Sequence, residues 1–114
     1  GGAMSISKRK VRVVVGDDHP IYRDGIVAAL TKSEQTEVVT AAADGHAALE
    51  AILEHRPDVA LLDYKMPGLD GIAVARAVTR DQIPTRVLLL SATTDGAVVY
   101  RAIQDGAAGN KVQD

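Results

Sequence analysis

The segment Val11-Arg12-Val13-Val14-Val15-Gly16-Asp17-Asp18-His19-Pro20 decides the fold. It is a β-branched run, interrupted only by Arg12, that ends on a glycine and two carboxylates and then meets a proline suited to the first turn of a helix. A strand this apolar belongs in a parallel sheet covered on both faces, because it offers no polar side to water. A strand followed at once by a helix is half of a βα unit, from which such sheets are built.

The same module recurs along the chain. Short apolar or β-branched runs predict further strands over Glu37 to Ala41, Val59 to Leu62, Arg86 to Leu90 and Ala108 to Val112. Between them, residues three and four apart form helical stripes. These are Tyr22, Ile26, Ala29 and Leu30; then Gly45, Leu49, Ile52 and Leu53. Gly71, Val74, Ala75 and Val78 make the third, and Val99, Ala102, Ile103 and Gly106 the fourth. Asp44, Asp70 and Asp95 stand where N-caps belong, and Pro57 and Pro84 close the second and third helices. The expected fold is α/β, a doubly wound, flavodoxin-like (βα)5 parallel sheet of order 2-1-3-4-5. Ligands of such sheets bind beyond the carboxyl ends of the strands, at the switch between strands 1 and 3.

Composition agrees with one globular domain. The chain has 114 residues, 46% of them hydrophobic and 25% charged, enough for a single core. No apolar run reaches the roughly 20 residues of a membrane helix. Thirteen basic against fifteen acidic residues leave a net charge of -2, which offers no broad attraction to nucleic acid. The chain has no cysteine, so it has neither disulfides nor thiolate metal sites, and a cytoplasmic setting is expected. Residues 1–7 read as a tag remnant and lead-in, leaving 8–114 as the domain. The basic Lys8-Arg9-Lys10 reads as a solvated approach to the first strand.

At the predicted binding edge stand Asp17 and Asp18 after strand 1, Asp63 after strand 3 and Ser91 after strand 4. Three like charges brought together either protonate or recruit a cation. The donors are hard oxygens, which favours Mg2+. His19 adds no partner at zinc spacing. The alternative reading of the acidic pair is that it caps the helix beginning near Pro20, a role open to Asp18. His19, His46 and His55 read as solvent-exposed or structural, and Pro67, Gly68 and Gly71 as backbone geometry.

Four stretches, 13–20, Leu61-Leu62-Asp63-Tyr64-Lys65-Met66-Pro67-Gly68-Leu69-Asp70-Gly71, Leu88-Leu89-Leu90-Ser91-Ala92 and Gly106-Ala107-Ala108-Gly109, resemble the receiver domains of bacterial two-component response regulators. The Asp-Asp-His-Pro start and the run from Lys65 to Gly71 are most similar to the NarL-type subgroup, whose members carry a LuxR-type helix-turn-helix output domain. The resemblance implies that Asp63 accepts a phosphoryl group from a sensor histidine kinase. It further implies Asp18 as a direct Mg2+ ligand, Asp17 as a ligand through water, the Lys65 carbonyl as a further ligand, and Ser91 as a hydrogen-bond donor to the phosphoryl group. DNA would be reached only through an output domain outside this chain.

Two positions depart from the family pattern. A lysine is usual where Gln113 stands, and an aromatic or apolar switch residue where Asn110 stands; Lys111 is the nearest cation on that strand face. A neutral amide is about half as strong a donor as a charge-assisted one. The family would also continue past Asp114 into a fifth helix. The reading is therefore of a receiver ending before that helix, with apolar sheet surface left bare and self-association expected. A phosphorylation-independent pseudo-receiver acting in protein interaction or dimerisation is the competing function. A phosphatase related to the haloacid dehalogenases is disfavoured by Lys65, where those enzymes carry a second Asp. A flavin carrier or a P-loop nucleotide site lacks its motif.

Overall fold

A computed structural model describes residues 9–91 together with Val99, Arg101, Ile103 and Gln104. The elements alternate along the chain: β1 (Val11–Gly16), α1 (Pro20–Thr31), β2 (Thr36–Ala42), α2 (Gly45–His55), β3 (Val59–Asp63), α3 (Gly71–Arg80) and β4 (Arg86–Leu90). The strands form one sheet of order β2-β1-β3-β4, and every adjacent pair is parallel. This is the expected doubly wound order. The fifth strand foreseen at Ala108 to Val112, with Asn110, Lys111 and Gln113, lies outside the described residues.

The period-two alternation of the strands divides the core into two layers. Val14, Ala60 and Leu62 turn toward α2 and α3, where they meet Ala48, Ile52, Val74 and Val78. Val13, Val15, Val59 and Leu61 turn toward α1 and Leu30. The strand order accounts for this split: the chain moves one way from β1 to β2 and the other way from β2 through β3 to β4, and parallel crossovers of one hand then place the helices on opposite faces. Ile52, Leu61 and Leu62 are fully buried, and each contributes about 1.5–3 kcal/mol relative to exposure.

Asp44 and Asp70 cap their helices as the sequence suggests. Asp44 Oδ1 accepts from the Ala47 N–H at 2.8 Å and Asp70 Oδ1 from the Ala73 N–H at 2.9 Å. Asp95 lies outside the described residues. Arg12, the one charge within the first strand, closes the other end of α2: its guanidinium donates to the carbonyls of His55 and Arg56. Asp58 Oδ2 accepts from the Arg12 N–H at 2.9 Å, and its other carboxylate oxygen pairs with Arg9. Strand polarity at position 12 is thus used to satisfy helix-end carbonyls.

One packing expectation changes. The stripe foreseen on α1 is only half buried: Leu30 is in the core and Ile26 partly so, but Tyr22 and Ala29 are exposed. Ile26 and Val27 share the contact with the sheet, which rotates the buried face. Val99 and Ile103 do turn inward, and both are helical. They join the layer of α1, against the surface of Val13, Val15, Leu61 and Leu90. The central strands are therefore covered on both faces. Among the described residues, apolar surface stays open on the flank of α1, where Ile21 is 90% exposed, at Leu53 and Tyr64, and along the half-buried β4.

Candidate metal centre

Register brings the acidic residues together. Gly16 pairs with Leu62 across β1 and β3, so Asp17 and Asp63, one step further, leave the sheet side by side. Asp63 in turn pairs with Leu90 of β4, and the Tyr64 N–H donates to the Leu90 carbonyl at 2.7 Å, which places Ser91 at the same edge. The sequence separations of these residues are large; the parallel ladder removes them.

Asp17 is the best anchored. It is 1% exposed, its N–H donates to the Ala42 carbonyl at 3.0 Å, and its own carbonyl accepts from the Arg23 guanidinium at 2.9 Å. Its Oδ1 accepts from the His19 N–H at 2.8 Å, while its Oδ2 is buried with no hydrogen-bond partner. Asp18 Oδ1 is likewise buried, and its contact is the charge pairing with His19 Nδ1 at 3.0 Å. Asp18 does not cap α1, because the N-cap is His19 and no side chain caps that helix. The capping alternative for the acidic pair therefore fails.

Asp63 is held from behind. Its Oδ1 accepts from the Lys65 N–H at 3.3 Å. The loop then turns through Gly68, whose φ of +78° lies in the left-handed region open to glycine. Helix α3 starts against the backbone just past Asp63: the Gly71 N–H donates to the Tyr64 carbonyl at 3.2 Å. Ser91 is exposed and lines an open groove of about 1230 Å³ together with His19, Asp63, Tyr64 and Lys65.

His19 is the residue that the sequence reading missed. Its side chain is 71% exposed, as expected, but its Nδ1 lies 3.0 Å from Asp18 Oδ1, 3.2 Å from Asp17 Oδ1 and 3.6 Å from Asp63 Oδ2. The hydrogen bond to Asp17, then the charge of Asp18, raises the His19 pKa above its usual value, with smaller help from Asp63 and against some desolvation. Asp17, Asp18, His19 and Asp63 each offer a ligand atom within 4.8 Å of the others. A buried carboxylate oxygen without a partner, such as Asp17 Oδ2, is costly, and a divalent cation would satisfy it. The oxygen donors of Asp17, Asp18 and Asp63 fit Mg2+.

Comparison with known proteins agrees with this geometry. Residues 13–110 match the model of the response regulator receiver domain. The chain is 60% identical over 105 residues to the "Probable transcriptional regulatory protein NarL" of Mycobacterium tuberculosis, covering 92% of this chain and 49% of that protein. It is 36% identical over 100 residues to the oxygen regulatory protein NreC of Staphylococcus epidermidis, covering 87% of this chain and 46% of that one. It thus spans about half the length of these curated relatives. Among solved structures, the signal receiver domain of M. tuberculosis NarL superposes with a TM-score of 0.73 at 61% identity, over 88% of this chain and 81% of that one. The response regulator domain of Thermotoga maritima CheB gives 0.70 at 31% identity, over 92% and 78%. With its sheet order, its acidic strand ends and these likenesses in agreement, the chain belongs to the response regulator receiver domain family, close to its NarL-like transcriptional regulators.

Proposed function

We propose that this domain is the phosphoacceptor of a two-component system and that Asp63 receives the phosphoryl group from a sensor histidine kinase. The observation that carries the reading is the meeting of Asp17, Asp18 and Asp63 at one sheet edge, with the buried Oδ2 of Asp17 left without a partner. Asp17 and Asp18 would hold Mg2+ with Asp63 and the Lys65 carbonyl, and the ion would neutralise charge on the transferred group. Asp63, oriented by the Lys65 N–H, attacks the phosphorus; the bond from phosphorus to the donor breaks as the bond to the carboxylate oxygen forms. Ser91 donates its hydroxyl to a phosphoryl oxygen. The domain assists its own phosphotransfer and dephosphorylation and acts on no other substrate.

The likeness to a named transcriptional regulator supports an output that acts on DNA through a part of the protein outside this chain. Gln113, in place of the usual lysine, makes coupling of phosphorylation to output weaker than in a lysine-bearing receiver. The exposed apolar flank of α1 supports self-association. The likeness to receiver domains of transcriptional regulators supports a cytoplasmic role; among the described residues no helix is long and apolar enough to cross a membrane.

Incubation with acetyl phosphate and Mg2+, followed by intact-protein mass measurement, tests the proposal. Wild type gains one phosphoryl group, whereas Asp63→Asn and an EDTA-treated sample gain none. Equal uptake by Asp63→Asn would overturn the assignment.

A further inference from the structure

The three carboxylates of the pocket are joined by a donor of a different kind. His19 places one imidazole nitrogen 3.0 Å from an oxygen of Asp18, 3.2 Å from one of Asp17 and 3.6 Å from one of Asp63. Adjacent ligands of an octahedral ion with bonds of about 2.1 Å stand about 3 Å apart. Those of a tetrahedral ion with similar bonds stand about 3.4 Å apart. The spacing thus suits four donors around one small cation as well as it suits a hydrogen-bonded imidazolium. A second feature points to a cation: Asp17, 99% buried, keeps Oδ2 without a partner in this cluster.

We propose that His19 is a metal ligand and that it tunes the pocket toward a divalent first-row transition ion, from Mn2+ to Zn2+, in preference to Mg2+. This rests on the reading of the acidic cluster as the cation site of the phosphoacceptor.

The chemistry of the donor set supplies the preference. Mg2+ binds oxygen and gives up its water reluctantly, so an imidazole adds little to its affinity. Transition ions gain from nitrogen in the order Mn2+ < Fe2+ < Co2+ < Ni2+ < Cu2+. Ligation releases the Nδ1 proton to solvent, as metal binding to histidine does generally. The His19 side chain does not cap α1 and is mostly exposed, so ligation would exchange only the Nδ1 contacts with Asp17 and Asp18 for a bond to the cation they share. The consequence for signalling is a receiver whose charging depends on which divalent ion occupies it.

The test uses the whole chain without a histidine tag, with Co2+, Mn2+ and Mg2+ as probes. Affinities come from calorimetry, and nitrogen coordination from electron spin-echo modulation of bound Mn2+. Wild type is expected to bind Co2+ more tightly than Mg2+ and to show directly bound imidazole nitrogen. In His19→Ala the nitrogen signal disappears and the ratio of Co2+ to Mg2+ affinity falls about tenfold or more. The chain has two other histidines, and His46→Ala/His55→Ala keeps both properties.

Three results would overturn the proposal: no nitrogen signal in wild type, a ratio unchanged by His19→Ala, or loss of the signal in the double variant. The phosphoacceptor reading is judged separately, by phosphoryl uptake in Mg2+. Uptake that requires Asp63 alongside an unchanged metal ratio rejects the role of His19 alone. Uptake that ignores Asp63 rejects the underlying reading instead.

Discussion

Gly71 begins α3 directly against Asp63: a methyl group added to its Cα would lie 2.4 Å from the Asp63 carbonyl oxygen. The helix can therefore approach the acceptor strand only because position 71 has no side chain, and the helix in turn buttresses the backbone that aims Asp63. Substituting Gly71→Ala forces one of the two apart. Overpacking of this kind costs about 1–3 kcal/mol. Urea denaturation should show that loss, and phosphoryl uptake by Asp63 should slow more than in a variant equally destabilised at a distant core position.

Removal of the cation should be felt as lost stability. An ion that binds only the folded chain stabilises it by about 2.7 kcal/mol at one hundred times its dissociation constant. Thermal melts are therefore expected to rise with Mg2+ and fall back with EDTA. Asp17→Asn/Asp18→Asn should flatten that response, because the buried oxygens that the cation would satisfy become amides.

In the metal-free protein, His19 confers a pH dependence of predictable sign. The neighbouring carboxylates raise its pKa in the folded state above the unfolded value of about 6.5. Its contribution is thus fully present below the unfolded pKa and is lost as pH rises through the folded one. In EDTA the stability gap between wild type and His19→Gln should be widest at mildly acid pH and should close in the alkaline range. A gap that widens with rising pH would mean that the imidazolium is not held by Asp17 and Asp18.

Burial separates two isoleucines that composition treats alike. Ile52 of α2 is fully buried against the sheet, whereas Ile21 is 90% exposed on α1. Truncating Ile52→Ala should cost about 2–5 kcal/mol. Truncating Ile21→Ala should stay within about 0.5 kcal/mol, while reducing self-association measured by sedimentation if the flank of α1 is the contacting surface.

The four described strands, the two described aspartate caps and the meeting of Asp17, Asp18 and Asp63 were legible because each leaves a local signal: a β-branched run, a cap before a stripe, a carboxylate just past a strand. His19 left none. Its part in the cluster comes from the turn between β1 and α1, which folds the imidazole back over residues that register alone brings together. Tyr22 and Ala29 show the limit of helical periodicity, which defines a face without saying what will cover it. Val99 and Ile103 show the complementary case: their stripe predicted burial correctly, but the layer they joined was set by the surface of Val13, Val15, Leu61 and Leu90.

The site of phosphorylation tests the account most directly. After charging with acetyl phosphate and Mg2+, borohydride reduces an aspartyl phosphate to homoserine, and peptide mass spectrometry locates the change. Homoserine is expected at position 63 alone. Homoserine at position 17 or 18, or a stable phosphoryl group on a serine, threonine or histidine, would contradict it.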